Sequence, residues 1–193
     1  DTETLLNIND YHNNTGNLIT NEDYVLEKTP SLKRTLEKCI KQFVIKTYQP
    51  INDIEFPITQ SWLNVTKKGM HHHTHLHANS YISGVLYLKT IPDDRINFMR
   101  QDLFSVIFDI EKYNTFNSQL RWVTVNDYDL LLFPSSLTHG VDINKTEEDR
   151  ISLSFNTWVS GTVGVARKSG VVSKGGFISK GIHIPNQEVT DEL

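Results

Sequence analysis

Apolar positions along this chain follow two periods in turn. Between Thr29 and Pro50, Leu32, Leu36, Cys39, Ile40 and Phe43 recur at helical spacing, while Lys33, Arg34, Glu37, Lys38 and Lys41 fall on the opposite face. Thr29 stands where it could cap such a helix. Pro30 suits the first helical position, and Pro50 lies just past the end. A helix of this kind packs on the outside of a sheet. From about residue 54 the period falls to two. "EFPITQSWLNVTK", "SYISGVLYLKTI", "INFMR", "SVIFDI", "LRWVTVND", "YDLLLFPS" and "RISLSFNTWV" read as strands, rich in β-branched and aromatic residues and separated by polar turns. Gly84, inside one of them, marks a bulge or a close backbone approach. Many short strands without intervening helices predict a mainly β fold, an antiparallel sandwich or barrel such as a jelly roll.

The two flanks differ from this centre. Residues 1–28 are rich in Asn, Asp, Glu and Thr and read as loop and short turns. The tail from residue 161 is rich in Gly, Ser and Lys, with a near-repeat of Ser-Lys-Gly. It reads as a flexible or edge-pairing arm, or as one that docks on a partner or covers a site. The expected layout is thus an N-terminal loop and helix over 1–57, a β core over 58–160 and a C-terminal arm over 161–193.

Composition narrows the class. The 193 residues suffice for one domain with a core; 38% are hydrophobic and 22% charged, as in a globular protein with long loops. A net charge of -4 argues against general nucleic-acid binding, which depends on lysine and arginine against phosphates. No apolar run approaches the ~20 residues of a membrane span, and the acidic start "DTETLLNIND" is unlike a signal peptide. Cys39 is the single cysteine, which excludes an internal disulfide and fits a reducing cytoplasm. A homodimer is the default expectation for oligomeric state.

The chemistry concentrates in "MHHHTHLHAN", residues 70–79, which holds five of the eight histidines. A purification tag belongs at a terminus, whereas this run lies between two strands. Strand alternation puts His71, His73, His75 and His77 on one face and His72 on the other. Two imidazoles at i and i+2 can converge on one cation, and a third ligand from elsewhere would close a face of the metal and leave positions open. His139, after the apolar strand in "LLLFPSSLTHGV", is the best third ligand. In "RISLSF", parity puts Arg150, Ser152 and Ser154 on one face and Ile151, Leu153 and Phe155 on the other. An arginine with a serine two residues on is a receptor for a carboxylate.

Bland readings compete with each piece. A histidine cluster is often a solvated loop, a lone His139 is more often structural, and Arg150 could pair with Glu147, Glu148 or Asp149 at the surface. Their order is what counts against chance: H-x-H between strands, a distal histidine after a strand, then R-x-S on the next. Trp62, Trp122 and Trp158 read as core residues.

"SWLNVTKKG", "HLHANSYISGVLYL", "LLLFPSSLTHGV" and "RISLSFN" resemble, in that order, the iron(II)- and 2-oxoglutarate-dependent oxygenases, and most closely a group found in marine bacteria and phages. The resemblance covers residues 58–158, about half of the chain. It implies a double-stranded β-helix, the cupin-like jelly roll, with the N-terminal helix packed on it. It implies Fe(II) held by His75, His77 and His139, and 2-oxoglutarate and O2 as cosubstrates. Arg150 and Ser152 would hold the distal carboxylate of 2-oxoglutarate, and Asn64 and Tyr87 are secondary candidates to touch it. The implied reaction is hydroxylation of an unidentified substrate with release of succinate and CO2. One departure stands out. No Asp or Glu lies between Lys68 and Tyr87, so a histidine replaces the carboxylate ligand usual in the superfamily; otherwise His77 does not bind and the site has two histidines. The competing readings are a three-histidine cupin-type enzyme that needs no 2-oxoglutarate, and a non-catalytic, metal-stabilised assembly or binding protein. Specificity loops are expected in "INFMRQDLFSVIFDIEKYNTFNSQ".

Overall fold

A computed structural model describes residues 2–51, 53–100, 110–112, 118–163 and 173–175. The chain runs α1 (Thr2–Leu6), β1 (Tyr11–Asn13), β2 (Leu18–Thr20), a 3-10 turn (Val25–Lys28), α2 (Pro30–Tyr48), β3 (Ile54–Glu55), β4 (Ile58–Thr66) and β5 (His72–His75). It continues with β6 (Ile82–Lys89), β7 (Arg95–Met99), β8 (Leu120–Thr124), β9 (Leu130–Pro134), β10 (Thr138–Val141), β11 (Arg150–Thr157), β12 (Ser160–Val163) and β13 (Ser173–Gly175). A six-stranded sheet has the order β1-β2-β4-β11-β6-β9, and a four-stranded sheet the order β5-β10-β7-β8. All their pairings are antiparallel. The fold is the mainly β, jelly-roll type expected from the strand pattern.

β11 is the centre of the larger sheet, flanked by β4 and β6. Its alternation sorts two cores. Leu153 and Phe155, fully buried, join Leu63, Ile82, Leu86 and Leu88 beneath Leu36, Ile40 and Val44 of α2. Arg150, Ser152 and Ser154 point the other way, towards the smaller sheet, where Val85, Tyr87, Ile96, Val125 and Phe133 form a second cluster. Burying one such Leu or Phe side chain is worth roughly 1.5–3 kcal/mol, so the outer core under α2 holds the larger sheet in place. Gly84 makes the close approach its position predicts. A Cβ there would meet the Phe155 ring at 2.1 Å, across a registered pair of β6 and β11.

Three local expectations are corrected. Residues 1–28 are not only loop: β1 and β2 form a hairpin, and β2 extends the larger sheet by pairing Leu18 with Val65 and Ile19 with Asn64. Three-residue strands are too short to show a period. Thr29 precedes α2 but makes no side-chain cap bond, and its Oγ1 is buried without a partner among the described residues; Pro30 still opens the helix. Trp122 is not core. It is 58% exposed on the outer face of β8, with the Arg95 guanidinium 5.4 Å from its ring centre.

β12 pairs with β3 and with β13 in a three-stranded sheet, so the arm begins by edge pairing. Most of the arm, and most of "SVIFDI", lie outside the described residues. Among the described residues no helix is long and apolar enough to cross a membrane.

Candidate functional site

The two sheets bring the singled-out residues together. Asn64, His75, His77, Tyr87, His139, Arg150 and Ser152 all line one narrow cavity of about 20 Å³, room for little more than a water molecule. Histidines stand at one end and Arg150 at the other. A larger cavity, about 550 Å³, lies between α2 and the segment 50–57 and is lined by none of these side chains.

His75 ends β5 and pairs directly with His139 of β10. Gly140 allows that approach, because a Cβ on it would crowd the His72 carbonyl at 3.1 Å. His77 follows β5 and is tied to the neighbouring loop, its backbone N–H donating to the Ser135 carbonyl. The nitrogens of His75, His77 and His139 lie within 4.8 Å of one another, a set that could hold a metal ion.

Their tautomers are fixed by the oxygens they face. His75 Nδ1 donates to the His73 carbonyl at 2.7 Å, and His139 Nδ1 to the Leu137 carbonyl at 2.8 Å. His77 Nδ1 donates to Asn156 Oδ1 at 2.6 Å. Each Nδ1 therefore carries the proton, and each Nε2 is left with a bare lone pair. Burial, the larger cause, with the neighbouring imidazoles adding to it, lowers the His77 pKa to about 4 and that of His139 to about 3. Burial also lowers that of His75. All three rings are thus neutral near pH 7, the form a metal needs.

The donor set fits a cation on one further observation. His75 Nε2 and His77 Nε2 stand 3.2 Å apart. With both protons on Nδ1 that contact is not a hydrogen bond but two lone pairs in opposition. A shared ion would convert it to attraction, and nitrogens about 2.1 Å from an ion and at right angles lie about 3.0 Å apart.

At the far end the structure adds a residue that the sequence did not reveal. Arg150 is buried and pairs with buried Asp94, its Nε 2.9 Å from both carboxylate oxygens. The expected surface alternative, pairing with Glu147, Glu148 or Asp149, is not what forms. Asp94 follows a turn in "IPDDR", and nothing in that motif marks it; only the approach of that turn to β11 does. Arg150 Nη1 reaches Ser152 Oγ at 3.5 Å, a long contact, and the guanidinium carbon lies 5.0 Å from the Tyr87 ring centre. The Tyr87 hydroxyl is buried with no partner in hydrogen-bond geometry among the described residues, and burial pushes its pKa up to about 12. Asn64 bridges Asn17 and Ser154.

One parity expectation fails. His72 does not point away: it lines the same cavity and stacks on His75, with ring centres 4.5 Å apart. A register shift between β10 and β5, after the His139–His75 pair, turns it inward.

Two facing antiparallel sheets around a histidine-lined cavity define a jelly-roll fold. A family profile described as "Putative 2OG-Fe(II) oxygenase" matches residues 60–156, half of the chain, and the chain belongs to that family. Among solved structures, HygX from Streptomyces hygroscopicus, with nickel, 2-oxoglutarate and hygromycin B bound, has a TM-score of 0.54 at 13% identity. It covers 80% of this chain and 75% of its own. The non-heme alpha ketoglutarate dependent epimerase SnoN from nogalamycin biosynthesis also has a TM-score of 0.54, at 12% identity over 83% of this chain and 72% of its own. An oxidoreductase of the 2OG-Fe(II) oxygenase family from Burkholderia pseudomallei aligns with 60% of this chain at 13% identity and a TM-score of 0.44, and the chain spans half of its length. At such identities the likeness is one of fold. No curated protein matches the chain.

Proposed function

We propose that this protein is an Fe(II)- and 2-oxoglutarate-dependent dioxygenase that hydroxylates a substrate not yet identified, releasing succinate and CO2. The observation that carries this reading is the pairing of two ends in one cavity. One end has three neutral imidazoles with their lone pairs turned towards one another, and the other has a buried arginine beside a serine. His75, His77 and His139 would hold the iron. Bound there, iron supplies the activation of dioxygen that side chains cannot provide.

The remaining work falls to the chain itself. The His73 and Leu137 carbonyls and the Asn156 amide hold the three rings in the tautomer that binds. Arg150 and Ser152 would receive the distal carboxylate of 2-oxoglutarate, through guanidinium N–H groups that Asp94 does not take. Asp94 fixes the plane of that guanidinium through its Nε. The buried Tyr87 hydroxyl, beside Arg150, would give the same carboxylate a further donor. Asn64 already bonds to two side chains and serves better as a wall of the cavity than as a contact. A ten-heavy-atom dicarboxylate exceeds a 20 Å³ cavity, so its binding requires side chains such as His72 to move.

The test is an anaerobic Fe(II) titration of the metal-free protein, with and without 2-oxoglutarate, followed by visible absorbance. A weak charge-transfer band that needs both supports the proposal. Tight iron binding without the band overturns it in favour of a cupin-type three-histidine enzyme. Two observations favour that second reading: the ligand set lacks a carboxylate, and Arg150 already has a buried counter-ion.

A further inference from the structure

The run of histidines is longer than one metal site needs, and the surplus is not scattered. His72, His73 and His75 form a second set whose ring nitrogens also lie within 4.8 Å of one another. Their rings are close neighbours, with centres 4.5 Å apart for stacked His72 and His75, 4.9 Å for His73 and His75, and 5.4 Å for His72 and His73. His73 Nδ1 donates to the Thr15 carbonyl at 3.1 Å, which leaves its Nε2 lone pair free. The His72 ring has no hydrogen-bond partner among the described residues.

The two sets face different spaces. The inner set opens on the 20 Å³ cavity. The outer one borders a cleft of about 310 Å³ lined by His71, His72, His73, Thr74, Asn97 and Asp142, among others. A hydrated cation is far larger than a single water, so it can reach this cleft but not the inner cavity. His72 lines both spaces. Asp142 is paired with Arg95 and bonded to Asn97, so the cleft presents imidazoles rather than free charge.

His75 belongs to both sets, and that makes them exclusive. A neutral imidazole has a single lone-pair nitrogen. If an ion in the outer set takes His75 Nε2, the inner set loses it. If it takes Nδ1 instead, the proton moves to Nε2 and the inner set loses it all the same.

We propose that His72, His73 and His75 form an outer transition-metal site that captures a divalent cation from the open cleft and passes it, through shared His75, to the inner set. This rests on the inner set being a metal site. The expected stoichiometry is one ion per chain, with two alternative positions.

Co(II) titration of the chelator-treated full chain tests this, with circular dichroism as the check on folding. The variants are His73→Ala, His139→Ala and their combination, and His77→Ala stands in if His139→Ala fails to fold. His73→Ala removes a half-exposed ring and keeps the carbonyl that orients His75. His139→Ala should still bind one Co(II), more weakly, and adding His73→Ala should weaken it by a further tenfold or so. His73→Ala alone should leave the equilibrium affinity near wild type but slow loading in stopped-flow by about fivefold or more. If the double variant binds as His139→Ala does, or if His139→Ala binds no cobalt while folded, the outer site is overturned. If His139→Ala and His77→Ala both bind as tightly as wild type, it is the inner-site reading that falls; the outer site then stands if His73→Ala weakens binding and falls if it does not.

Discussion

The two ends of the cavity are built in different ways. The arginine end stands on the larger sheet, on long buried strands. Its parts are held by other side chains from distant places: Arg150 by Asp94, Asn64 by Asn17 and Ser154. The histidine end rests largely on four-residue strands of the smaller sheet. Two of its three rings are oriented by carbonyls two residues away in sequence. The difference teaches which end carries stability and which carries binding. A ring oriented by local backbone can be removed with modest harm to the fold. A buried ion pair cannot lose one member without leaving a charge stranded.

The sharpest way to break this contrast is Arg150→Ala. It should destabilise the protein by about 3–5 kcal/mol in a denaturant titration and abolish 2-oxoglutarate binding. Removing Asp94 as well should recover much of the stability but none of the binding. Next in size is His139→Ala, which should cost less stability than Arg150→Ala yet lower metal affinity by roughly a hundredfold, read by metal titration. If His139→Ala unfolds the chain more readily than Arg150→Ala, the assignment of stability to one end is wrong. Gly84→Ala comes third. Because its Cβ falls on the Phe155 ring, it should cost about 1–3 kcal/mol in thermal or denaturant unfolding with metal affinity nearly unchanged.

The smallest effect is one of pH. In the folded, metal-free chain His77 and His139 stay neutral down to about pH 4 and about pH 3, whereas unfolded histidines take up protons near 6.5. Between those values the unfolded state binds more protons, so stability should fall as the pH is lowered from 7 to 6 and beyond. A melting temperature that rises over that interval would contradict the burial assigned to these rings.

The contrast also explains what could be read from the chain. The alternation of "RISLSFN" placed Arg150, Ser152 and Ser154 together because a long central strand keeps its period. H-x-H and His139 were legible as chemistry that a jelly roll could assemble. His72 was misplaced because alternation assumes an unbroken ladder, and the register shift beside it depends on β10, far along the chain. Asp94 was invisible because an aspartate in a turn looks the same whether it faces water or a buried arginine 56 residues away. The hairpin of β1 and β2 is too short for any periodic signal.

Gly84 and Phe155 act together as a key and its slot. The ring of Phe155 occupies the space that any side chain at position 84 would need, and only one alignment of β6 with β11 brings the two opposite each other. A slip by one residue would send the ring to a position with a side chain in its way. It would also turn Arg150 and Ser152 to the wrong side of the sheet. The notch under the helix-covered face is thus a proofreading device for assembly: it admits the strand only in the frame that aims the arginine into the cavity.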